Sequence, residues 1–203
     1  MNSRTVPTAV TAFAVVAAVA AAAVPAAAAP TGTGTPRFLE PAELPPHPSS
    51  AWYAGQVTGG QPDPLPVCVG EALPSIASHR RYRTEYDTGA LQVTVVERST
   101  RRAENLAALL REDLDGCARK LMERYPDITA AQRYHGRLNV EEGAHVYGLH
   151  TRSAWGASDI NLLSVGRDGA TVTVVLWGQM GTFEHARVAD FRTTTTTAVD
   201  KLY

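Results

Sequence analysis

Residues 158–177 read SDINLLSVGRDGATVTVVLW, two alternating runs joined by Gly166-Arg167-Asp168-Gly169. A short Asp/Gly connection between alternating runs is the signature of a β-hairpin. In the second run Val172, Val174 and Leu176 share one face, and Thr171, Thr173, Val175 and Trp177 share the other. Side chains alternate across a strand, so this pattern predicts one core face and one partly exposed face. The hairpin fixes an antiparallel sheet as the centre of the fold.

The same pattern extends in both directions. Upstream, 144–151 and 134–140 read as two more strands, and 81–86 and 91–97 form a hairpin around Asp87-Thr88-Gly89. Between the two groups lies the clearest helix. After Ser99-Thr100, either of which can cap, Ala103, Leu106, Leu110, Leu114, Cys117 and Leu121 recur at threes and fours along one stripe. Tyr125-Pro126 ends it. A second helix is expected over 184–202, with Val188, Phe191, Ala198 and Val199 inward; its threonine run 193–197 has poor helix propensity, so it must depend on packing. The order β-β-α-β-β-β-β-α predicts an α+β domain: an antiparallel sheet of about five to six strands with two helices packed on one face. Short connections favour hairpin neighbours over crossovers.

The beginning of the chain differs in kind. Residues 1–29 have the grammar of a cleavable signal peptide: Arg4, an uncharged apolar run from Ala9 to Val24, then small residues offering A-x-A sites within 27–30. The run is short of the ~20 residues that a bilayer span needs, and no later segment is apolar enough to span. The expected destination is therefore outside the cell, as a secreted protein. Residues 30–65 are rich in Pro and Gly and read as a flexible, irregular arm, leaving 66–203 as a single disulfide-linked domain. A short helix over 71–78 is held to one turn by Pro74.

Cleavage leaves eighteen basic and twenty acidic residues, a formal charge of −2, which argues against nucleic acid or an anionic membrane as partner. Two cysteines in an exported chain most simply form one disulfide, Cys68–Cys117, with two free thiols as the alternative. Nothing resembles C-x-x-C and no histidine stands at ligand spacing beside either cysteine, so neither a metal nor a cofactor is expected. His145 and His150, five apart on one strand, fall on opposite faces and should not chelate together.

Catalytic signatures are missing: there is no G-x-S-x-G, S-x-x-K or H-E-x-x-H. The more suggestive group is aromatic. Tyr147, Trp155 and Trp177, together with Asp159, are candidates to line a groove on the sheet face away from the helices, for a small molecule, a glycan or a peptide. The alternative is that Trp177 is core beneath the C-terminal helix. The expected function is a non-catalytic binding or sensor-like domain. Two other readings stand beside it: a small secreted hydrolase of extracellular polymers, and an interaction or inhibitor module presenting the 58–66 loop to a protein partner.

The element order, the helix bearing Cys117 and the C-terminal helix after the strand ending at Trp177 resemble the extracellular sensor domain of actinobacterial PknH-like serine/threonine kinases and related secreted proteins. The resemblance covers about residues 66–203. It implies a non-catalytic module with a cleft between helices and sheet. That family's domain carries two disulfides, whereas this chain can form one, and no functional residue carries over.

Overall fold

A computed structural model describes residues 35–203; the expected signal peptide lies outside the described residues. The elements are β1 (Tyr53–Ala54), β2 (Thr58–Gly59), β3 (Ser78–Arg83), β4 (Gly89–Val96), α1 (Thr100–Asp115), α2 (Cys117–Arg124), β5 (Ile128–Leu138), β6 (Ala144–Ser153), β7 (Ser158–Asp168), β8 (Thr171–Met180) and α3 (Val188–Asp200). The strands form one antiparallel sheet in the order β1-β3-β4-β8-β7-β6-β5, with β2 also paired to β3.

The fold is α+β, as the hairpins require, but the expectation needs three corrections. The sheet has eight strands, not five to six, because the stretch read as an irregular arm contributes β1 and β2 to its edge. Among the described residues there are three α-helices, not two, because the long helix breaks at Gly116. Gln132 of β5 fills that break: its amide donates to the Leu114 carbonyl at 2.6 Å and accepts from Ala118 N–H at 3.2 Å. A side chain thus satisfies groups that a continuous helix would have paired internally.

The third correction concerns the layers. The helices occupy opposite faces. Leu91, Val93, Val174 and Leu176 pack with Ala103, Leu110, Leu114 and Cys117 in one core. Residues of the other parity, among them Val175, Trp177, Ile160 and Leu162, pack with Phe191, Ala198, Val199 and Leu202 in a second. Thr171 to Trp177 is therefore buried throughout, with no exposed face. The α1–α2 segment is also a crossover, carrying the chain from β4 over β8, β7 and β6 to the far edge.

The second core is completed by the N-terminal segment. Leu39, Leu44 and Trp52 are buried there. Leu39 N–H donates to Gln92 Oε1 at 2.7 Å, Tyr82 Oη donates to the Leu39 carbonyl at 2.9 Å, and Trp52 Nε1 donates to the Pro45 carbonyl at 2.8 Å. The segment also meets α3, where Thr194 Oγ1 donates to the Glu43 carbonyl at 2.7 Å and Lys201 pairs with Glu43 at 2.6 Å. The threonine run forms helix because its hydroxyls are occupied. Thr196 and Thr197 donate back to the carbonyls four residues earlier, and Thr195 donates to Ser164 at 3.0 Å in the core.

Ser99 caps α1, accepting from Arg102 N–H. Cys68 and Cys117 are joined, with Cα atoms 5.4 Å apart, fixing the start of α2 to the loop before β3. Closing a loop of 49 residues stabilises a fold by about 4 kcal/mol on a chain-entropy model.

Candidate functional site

Cover is unequal at one end of the sheet. α1 starts where β4 ends and leaves uncovered the opposite end, where β3 and β8 finish and β4 begins. A groove of about 860 Å³ lies there. Its floor is built from residues of one face in cross-strand register: Arg83 opposite Gly89, Gly89 opposite Gly178, and Gly178 opposite Asn161. The next rows are Arg81–Leu91–Leu176 on the inner side and Met180–Asp159–Thr151 on the outer. On the other face of these strands Tyr82, Trp177, Ile160 and Leu162 are sealed.

The two glycines give the floor its depth. A Cβ at Gly89 would meet only the Tyr82 carbonyl at 3.7 Å, so the space above it is open. A Cβ at Gly178 would strike the Asn161 side-chain oxygen, so this amide lies directly over the glycine.

The 64–67 loop forms the wall. It doubles back on Gly70, whose missing side chain admits Leu65 and Pro66, and Gly70 N–H donates to the Pro66 carbonyl at 2.9 Å. The disulfide follows at Cys68, and Arg81 Nη2 donates to the Pro64 carbonyl at 3.0 Å. The wall is thus tied at both ends to the core it overlooks.

Charges around the groove are separated. Arg81 and Arg83 are exposed, and the Arg83 guanidinium lies 5.5 Å from the centre of the Tyr53 ring. Neither forms an ion pair among the described residues. Asp159 stands on β7 on the other side, likewise without an ion-pair partner among the described residues. Asp87 accepts from Met180 N–H at 2.9 Å and pins the end of β8.

The four aromatic-group candidates are dispersed. Asp159 and Trp177 border the groove, but Trp177 is only 2% exposed and belongs to the core under α3. It meets the groove through its backbone. Tyr147 is buried beneath the helices on the other face, 5.1 Å from the Tyr134 ring; burial, then a hydrogen bond to Asp115, pushes its hydroxyl well above the usual tyrosine range. Trp155 stands 74% exposed on the β6–β7 turn. No sheet face lies away from the helices, so the aromatic groove expected there does not form.

The histidines do divide between faces. His145 Nδ1 lies 2.8 Å from Tyr134 Oη, whereas His150 Nε2 meets Ser158 Oγ at 2.9 Å under Phe183. Ser158 Oγ donates to the Gly181 carbonyl at 3.1 Å, which ties a loop and leaves it no proton for the histidine to accept. Neither residue reaches the groove.

Sequence reasoning passed over Arg81, Arg83 and Asn161. The available signal was their position: in a sheet covered on both sides, charged residues on a strand mark where cover stops. No protein-family model and no curated protein matches the chain.

Proposed function

We propose that this is an exported, non-catalytic binding domain of sensor type, and that the groove above Gly89 and Gly178 is its ligand site. One observation carries the reading. The open floor is rimmed by Arg81, Arg83, Asp87 and Asp159, charged groups without ion-pair partners among the described residues. A concave site with a few convergent polar groups is the usual form of a ligand pocket. The disulfide and the absence, among the described residues, of any helix long and apolar enough to cross a membrane are compatible with an extracellular setting.

A second reading, hydrolysis of an extracellular polymer, draws on Asp87 and Asp159 both lining the groove. It is the weaker one, since Asp87 is engaged by Met180 N–H.

Calorimetric titration with a panel of cell-wall glycans, short peptides and small metabolites tests the proposal, using Gly89→Val as the blocking variant. Valine suits a strand and its Cβ meets nothing nearer than the Tyr82 carbonyl at 3.7 Å, so the fold should persist while the floor fills, with unchanged circular dichroism as the check. Saturable binding that Gly89→Val abolishes is the expected result. Binding indifferent to Gly89→Val, or none across the panel, would refute the assignment.

A further inference from the structure

Resting on that reading of the groove, we infer that its ligand is a short extended peptide with both termini free, its carboxylate on Arg81 and Arg83 and its ammonium at Asp159.

The polarity of the groove supplies the first argument. Arg81 and Arg83 lie two apart on β3, hence on one face and about 7 Å apart along the strand. One Arg81 N–H is spent on the neutral Pro64 carbonyl, and Arg83 is stacked over Tyr53, so neither charge is neutralised. Two guanidinium groups so placed match a carboxylate, which each can engage with a pair of parallel N–H donors. Asp159 on the far wall and Asp87, held by Met180 N–H opposite Asp159, make that end acidic, which repels a second anion and suits a cation, so the preferred ligand carries opposite charges at its two ends.

Length is the second argument. From β3 the sheet runs through β4 and β8 to β7, three steps of about 4.8 Å, and Asp159 lies one row, about 7 Å, further out than Arg83, placing those two poles about 16 Å apart. A fully extended chain covers at most about 3.5 Å per residue. With arginine and aspartate side chains leaning inward, three or four residues bridge the gap. Nothing stands up between the poles over the paired glycines except the Asn161 amide, which offers one donor and one acceptor to a peptide backbone.

Surface chemistry supplies the third. Sugar recognition relies on a bare aromatic face, whereas Tyr53, the exposed aromatic among the groove residues, has Arg83 over one face and donates its hydroxyl to Glu85 at 2.9 Å. The apolar surface comes instead from Leu65, Leu91, Leu176 and Met180, which suit small aliphatic side chains.

Titration of the whole mature protein with tetra-alanine, its C-terminal amide and its N-acetyl form tests the inference. The free peptide is expected to bind, the amide at least tenfold more weakly, and the acetyl form several-fold more weakly. Arg83→Gln, with Arg81 retained, should bind the free peptide several-fold more weakly and lose part of its sensitivity to amidation, and Asp159→Asn should lose sensitivity to acetylation. Both residues are solvent-accessible, and unchanged circular dichroism and melting temperature would show the variants folded. Equal binding of all three peptides overturns the inference. So does failure of tetra-alanine when another panel member binds and Gly89→Val blocks it; in that case the groove stands and only the peptide assignment falls. If no panel member binds, the groove itself is refuted.

Discussion

The two faces of this sheet are made by the same strands yet end differently. On the α3 side, the cover continues as far as Trp177 of β8: Tyr82, Trp177 and Ile160 are sealed by the N-terminal segment and the C-terminal helix. On the α1 side, the same strands at the same end carry Arg83, Gly89, Gly178 and Asn161 under open space. The difference lies in what is laid over the strands. Residues 35–52 extend the cover on one side; on the other, α1 begins at the far end and only the 64–67 loop returns as a wall. A sheet with a helix on each face is left with an open groove where one cover falls short.

The contrast is sharpest in stability. Phe191, fully buried on the closed side, should cost about 3–5 kcal/mol when truncated to alanine, as large aromatic deletions from a core do. Leu65, 48% exposed on the groove wall, should cost less than about 1 kcal/mol when truncated, while weakening ligand binding. Chemical denaturation of both variants measures this. Similar losses at the two positions would mean that the wall is core and the groove is not open.

A smaller effect separates the faces by pH. His145 lies on the α1 side, where burial, then Arg111 and Arg137, lower its pKa; His135 lies at the α3 side, lowered by burial, then Arg133 and Arg192. A base whose folded pKa is depressed binds protons more readily when unfolded. Stability should therefore be full above pH 6.5 and decline as pH falls through that value. Asp168 is shifted upward, chiefly by burial and then by Glu141 and Glu142, so it acts oppositely, and only at pH near and above its usual 3.8. Denaturation midpoints should be lower at pH 5.5 than at pH 7.5. His135→Asn and His145→Asn should each reduce that difference, and an unchanged difference in both would remove these histidines from the account.

What the sequence revealed follows from which signals are local. The 158–177 hairpin and the α1 stripe of Ala103, Leu106, Leu110 and Leu114 were readable because each is a periodic run with its own turn or cap. The second core was not. Thr171 and Thr173 read as solvent-facing, yet both are buried, with their hydroxyls bonded to Tyr203 Oη and to the Val93 carbonyl. Small polar residues satisfied by hydrogen bonds to distant parts of the chain concealed a buried face. Leu39 and Trp52 were hidden among prolines and glycines, and without them a single covered face was the simpler reading. The site suffered from the same error: with one face thought partly bare, Tyr147, Trp155 and Trp177 were the candidates to line it, and no role was assigned to Arg81 or Arg83.

If ligand meets one face of one end of this sheet, methyl-detected NMR with the tightest binder of the panel added stepwise will show it, because leucine, isoleucine, valine and methionine report on both faces of the same strands. Saturable shifts are expected at Leu65, Leu91, Leu176 and Met180, with Ile160, Leu162, Val175 and Val199 unmoved. Shifts centred on the second group, with the first silent, would place the ligand under α3 and contradict the groove as its site.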